Sequence, residues 1–187
     1  MSRLSVGIND ELSVYESRIF ELADEYVESV LDGDYERVPE SFMGLIYHIS
    51  DNIPEIPNDN IDLMDAVFDL YCRLCARLNV LPSLETFAIL VKTNRATFSD
   101  WRNQEYRAND LRYAESVRRW KSVCKSHLVN RLANTNKTSV NLIFLAKASY
   151  DMTEAVSQNT EMIPGRRIKS ADELPDFRKL YGGKKDE

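Results

Sequence analysis

The sequence predicts an all-α fold, a helical bundle. Two observations carry that prediction. Apolar residues recur at steps of three and four along most of the first 150 positions, the spacing of one helix face. No segment alternates apolar and polar residues as a half-buried strand would. With 187 residues, 43% of them hydrophobic, the chain holds enough apolar material for a core.

Each element follows in order. Leu12, Tyr15, Ile19, Leu22, Tyr26 and Val30 form the stripe of a first helix over 12–31, ended by Gly33. Its other face carries Glu16, Glu21, Asp24, Glu25 and Glu28. Pro39 suits a first helical position, and Phe42, Leu45, Ile46 and Ile49 mark a second, shorter helix. Residues 51–60, DNIPEIPNDN, read as a linker. Met64, Val67, Phe68, Tyr71, Leu74, Cys75 and Leu78 give a third helix over 61–78. Pro82 closes that unit, and Ser83 is placed to cap a short helix built on Leu84, Phe87, Ala88, Leu90 and Val91. A long helix is expected over 109–132, with Leu111, Ala114, Val117, Trp120, Cys124 and Leu128 inward. The last helix, 139–150, has Val140, Ile143, Phe144 and Ala146 as its apolar side. Beyond Met152, Pro164, Gly165, Pro175, Gly182 and Gly183 break the periodicity, which predicts a flexible, partner-binding tail.

Charge is unevenly distributed. The formal net charge is −6. Residues 1–82 hold 5 Lys and Arg against 17 Asp and Glu, a net of −12. Residues 83–131 hold 10 against 5, a net of +5, and residues 132–187 hold 9 against 8. The acidity therefore belongs to the first part of the chain and does not argue against a DNA-facing surface further on.

The basic part contains VKTNRATFSDWRN, residues 91–103. A helix-turn-helix needs two short helices and a tight turn, and the second helix exposes polar residues at its N-terminal end. Here the first helix is SLETFAILV, the turn is Lys92, Thr93 and Asn94, and Asn94 caps a second helix starting at Arg95. Phe98 and Trp101, three apart, go to the buried face. The outward set predicted to contact DNA is Lys92, Asn94, Arg95, Ala96, Thr97, Ser99 and Arg102. Arg95 suits guanine or a phosphate, Ala96 a thymine methyl, and Thr97 and Ser99 phosphates or base edges. Peptide N–H groups at the helix start favour a phosphate oxygen. Arg112, Arg118, Arg119, Lys121 and Lys125 would extend the basic surface. Asp100 fits such a surface only if it accepts from cytosine or pairs with a nearby arginine. The turn lacks the usual glycine, since Lys92 stands there.

The run LPSLETFAILVKTNRATFSDW resembles the helix-turn-helix of phage terminase small subunits, through Pro82, Phe87, Ala88, Asn94, Arg95, Thr97, Phe98 and Trp101. The run 131–152, RLANTNKTSVNLIFLAKASYDM, is similar to the polar turn and short apolar helix that follow in that family. The resemblance covers roughly residues 80–152. It implies a non-enzymatic DNA-packaging protein that binds double-stranded viral DNA, assembles into a homo-oligomeric ring and presents DNA to a large terminase subunit carrying the ATPase and nuclease. The glycine in the turn and the acidic region before the motif depart from the pattern. A second reading is a helix-turn-helix regulator of transcription or replication in a phage or mobile element. The expected organisation is an acidic helical region over 1–58, a DNA-binding and assembly domain over 59–152, and a tail over 153–187.

Other chemistry is poorly served. Cys72 and Cys75 form C-x-x-C, but no second pair completes a zinc site, and Cys124, His48 and His127 are scattered. The carboxylates of residues 10–36 lack the glycine-bearing loop of an EF-hand. There is no Walker A pattern and no glycine-rich phosphate loop, so no cofactor is expected. No run approaches the ~20 apolar residues of a membrane span, and the N-terminus has no apolar signal core. These features predict a cytoplasmic protein, in the host cytoplasm if viral. GRRIK, residues 165–169, is a further basic patch for DNA or the large subunit.

Overall fold

A computed structural model describes residues 3–134 and 140–150, with side chains from residue 12 onward. Among them there are seven α-helices and no strand. Helix α1 spans Arg3–Val30 and buries Tyr15, Ile19, Leu22, Ala23 and Val27. Val30 is exposed, and Leu31 takes its expected place in the core. The chain leaves α1 through Asp32 and Gly33, both at positive φ, where the Gly33 N–H donates to the Val27 carbonyl at 3.0 Å. Glycine meets that backbone demand without steric cost. Asp34 caps a 3₁₀ turn over Tyr35–Arg37 by accepting from the Glu36 N–H.

Helix α2, Val38–Asn52, starts with Pro39 in its first turn and buries Val38, Phe42, Leu45, Ile46 and Ile49. A Cβ at Gly44 would lie 2.5 Å from the Tyr26 hydroxyl, so α1 and α2 approach closely there. The segment between α2 and α3 is irregular, as expected of a linker, yet it is anchored. Ile53 and Ile56 are buried, and the Tyr15 hydroxyl donates to the Glu55 carbonyl at 3.1 Å. Apolar packing is continuous from α1 to α6, through Ile53, Ile56 and Ile61.

Helix α3, Ile61–Arg77, is the centre of the bundle. Asn60 caps it by accepting from the Leu63 N–H at 3.1 Å. Its buried residues surround more than one face because α1 packs on one side and α6 on another. Helix α4, Leu84–Leu90, is capped by Ser83, whose hydroxyl accepts from the Thr86 N–H at 3.1 Å. The Tyr71 hydroxyl on α3 both donates to the Ser83 carbonyl (3.2 Å) and accepts from its N–H (3.0 Å). At the other end of α4, the Ser50 hydroxyl of α2 donates to the Ile89 carbonyl at 2.9 Å. Both ends of this two-turn helix are thus held by neighbours.

Helix α5 spans Arg95–Asn103, α6 Leu111–Asn134 and α7 Val140–Tyr150. Two expectations about these helices need correction. Leu111 is 57% exposed rather than inward, because the buried face of α6 runs through Tyr113, Val117, Trp120, Cys124 and Leu128. In α7, Val140 and Phe144 are 77% and 72% exposed, and only Ala146 is buried. Among the described residues α7 packs chiefly on α6, which covers a narrow strip of it. Ser139 and everything from residue 151 on, including GRRIK, lie outside the described residues.

Candidate nucleic-acid interface

Helices α4 and α5 are joined by the turn Val91–Asn94. The turn is closed by backbone bonds from the Thr93 N–H to the Ala88 carbonyl (2.9 Å) and from the Lys92 N–H to the Ile89 carbonyl (3.1 Å). That pairing requires a left-handed residue just after the helix, usually glycine. Lys92 fills it at φ 53°. The absent glycine therefore falls at the one turn position whose backbone favours it. Lys92 itself is exposed. Asn94 caps α5 as expected, its side-chain oxygen accepting from the Ala96 N–H at 2.9 Å.

Below the turn lies an aromatic cluster. Phe98 and Trp101 of α5 are buried, as their spacing predicts. Phe98 stacks on Phe87 of α4 (centroids 5.8 Å apart) and meets Trp120 of α6 edge-on at 5.2 Å. Trp101 meets Tyr113 edge-on at 4.9 Å, and Trp120 stacks on Phe68 of α3 at 5.5 Å. Such pairs add roughly 0.5–1.5 kcal/mol each beyond area burial. The pairs Phe98–Trp120 and Trp101–Tyr113 join α5 to α6.

The outward side carries the predicted contact residues, in unequal states. Lys92, Asn94 and Ala96 are exposed, whereas Arg95, Thr97, Ser99 and Arg102 are half-buried. Arg95 is engaged within the protein. Its Nε donates to Glu85 Oε1 at 3.0 Å and its Nη1 to Ser99 Oγ at 3.0 Å. Asn94 is occupied as a cap, and the Thr97 N–H bonds the Asn94 carbonyl at 3.0 Å, so the first turn of α5 is partly satisfied without a ligand. Arg102 Nε reaches Asn103 Oδ1 at 3.4 Å. Among the described residues the Asp100 carboxylate forms no ion pair. Its main-chain carbonyl accepts the Glu105 N–H that closes the end of α5.

The wider basic surface is narrower than the sequence suggests. Arg112 pairs with Asp62 (3.2 Å) and Asp110 (2.7 Å), and Arg119 with Asp65 (2.9 Å) and Asp69 (3.2 Å). Asp65 also accepts from Trp120 Nε1 at 2.7 Å and Ser116 Oγ at 2.9 Å. These arginines hold α6 to α3. Arg118, Lys121 and Lys125 remain as the solvent-facing cations of the expected set, with Lys121 half-buried. Lys121 and Arg95 line one cleft of about 140 Å³, together with Glu85, Ser83, Leu128 and Tyr150.

Two residues escaped sequence reasoning. Glu85 lies ten positions before Arg95, and no periodicity links residues across a turn. Arg107, at φ 59°, lies over the Tyr113 ring at 4.8 Å and the Tyr106 ring at 5.4 Å, beside the end of α5. Its only signal was an Arg following a Tyr. Cys75 and Cys124 are buried and Cys72 is half-buried. Burial raises all three thiols, those of Cys72 and Cys124 to about 12, which keeps them protonated in the free chain. Among the described residues no group of three or more His, Cys, Asp or Glu side chains is placed to hold a metal, and no helix is long and apolar enough to cross a membrane. Comparison of the chain with protein-family models, curated proteins and solved structures finds no match.

Proposed function

We propose that this chain is a non-catalytic DNA-recognition subunit of a phage packaging terminase, which binds double-stranded DNA through α5 and hands it to a large ATPase and nuclease subunit. The observation that carries the reading is the build of the α4–turn–α5 pair. A capped nine-residue helix is fixed from below by Phe98 and Trp101 and carries Arg95, Ala96 and Thr97 on its outer side, with Lys92 exposed on the turn before it. That is what insertion of a helix N-terminus into a major groove demands: rigid placement beneath and polar side chains above. The +5 balance of residues 83–131 supports it, because phosphate neutralisation supplies most non-specific affinity.

Gel-shift titration over a range of salt tests the reading. Binding is expected to weaken steeply as salt rises. Absent binding at low salt would sink it. Native mass spectrometry tests the assembly: a ring of many copies fits packaging, and a stable dimer fits a transcriptional or replication regulator instead.

A further inference from the structure

Glu85 stands in the first turn of α4 and Arg95 opens α5, so their contact bridges the turn. The carboxylate gives the guanidinium Nε an oxygen anion at 3.0 Å, the kind of partner a phosphate would provide. Ser99, one turn along α5, holds Nη1 at 3.0 Å. Two of the guanidinium's five N–H donors are therefore occupied in the free protein. The pair faces solvent, with side chains 37% and 68% exposed, so it is weak and opens readily. Among the residues lining the adjoining cleft, Glu85 is the one carboxylate beside two cations, Arg95 and Lys121.

We propose that Glu85 is a latch on Arg95 that weakens DNA binding, an inference that rests on the DNA reading of α5. The carboxylate holds Arg95 until a nucleic-acid oxygen replaces it, and it repels a phosphate that approaches without doing so. DNA that engages α5 fully recovers the cost of opening the pair. DNA that leaves Arg95 without an oxygen partner recovers less. The latch thus lowers affinity, and lowers it most where nothing on the DNA takes over Arg95.

A double-mutant cycle on the full chain tests this, using Glu85→Gln, Arg95→Ala and the two combined, with Glu85→Ala as a second removal of the charge. The readouts are affinity for a mixed-sequence DNA duplex by gel shift, and Tm. With Arg95 present, removing the Glu85 charge should tighten binding by up to about fivefold, the range of an exposed ion pair, with little change in Tm. With Arg95 replaced by Ala, the gain should be clearly smaller, because only the repulsion between Glu85 and phosphate is then relieved. An equal gain in both backgrounds overturns the latch, since Glu85 then acts only through net charge, and leaves the DNA reading standing. Weaker binding by the Glu85 variants also overturns it, because the pair would then be positioning Arg95 for DNA. Absence of binding by all the proteins overturns the DNA reading, and the latch with it.

Discussion

The seam between α3 and α6 and the pair formed by α4 and α5 both carry arginines, and they hold them differently. In the seam, Arg112 and Arg119 face the carboxylates Asp62, Asp65 and Asp69, and Trp120 and Ser116 add donors to Asp65. In the α4–α5 pair, Arg95 has one exposed carboxylate and one hydroxyl, and Lys92 stands exposed on the turn. Regional charge alone cannot separate these cases, since all four cations fall within the same basic stretch. What separates them is the opposing helix. The acidic α3 neutralises one face of α6, whereas α5 has aromatic rings beneath it and, among the described residues, no acidic helix above.

Trp120 belongs to both regions, and replacing it should have the largest effect. Trp120→Ala removes a fully buried ring that touches Phe68, Phe87 and Phe98 and takes one of its three donors from Asp65. A loss of about 3–5 kcal/mol is expected by urea denaturation. A much smaller loss would mean that the two regions are not packed through one cluster.

Arg95→Ala separates them on the functional side. DNA affinity should fall by about 1–3 kcal/mol, with little change in Tm. Unchanged affinity would show that α5 does not present Arg95 to DNA. Lys92→Gly acts in both directions at once. It relieves the left-handed strain on a non-glycine residue, worth about 1 kcal/mol, so Tm should rise. It also removes a cation, so the salt slope of DNA binding should fall by about one. A lower Tm would show that the turn does not require the conformation seen at φ 53°.

Arg119→Ala should have the smallest effect and the opposite profile to Arg95→Ala. Its ion pairs are partly exposed, so the loss is about 1 kcal/mol or less, or roughly 2–4 °C in Tm at most. DNA affinity should stay as it was. A clear loss of affinity would return α6 to the DNA surface and erase the distinction drawn between the two regions.

The sequence made the local features legible. Helix stripes follow from spacing, and the caps Ser83 and Asn94 sit where they were read. Phe98 and Trp101 were assigned to packing by a separation of three, and they pack. Contacts between elements were not legible. Arg112 and Arg119 find their carboxylates about fifty residues away, and Arg95 finds Glu85 across a turn. A charged residue in sequence looks the same whether it holds a fold together or faces a ligand. Exposure at the end of α7 was hidden for a related reason: an apolar stripe states which face can be buried, not whether a neighbour is there to bury it. Phe144 and Val140 have the pattern without the cover.

The carboxylate of Asp65 has a consequence for alignment along the helix axis. Apolar contacts tolerate axial slip, because moving one helix a turn past another replaces one greasy side chain with a similar one. Asp65 does not tolerate it. Its three donors come from Ser116, Arg119 and Trp120, all on one side of α6 within little more than a single turn. A shift of one turn, about 5.4 Å, would withdraw all three together. Asp65, with Asp62 and Asp69 one turn to either side of it on α3, thereby fixes the register of the 24-residue α6. The height of Trp120 in that register decides where Phe98 rests, and with it how far the tip of α5 stands out from the bundle.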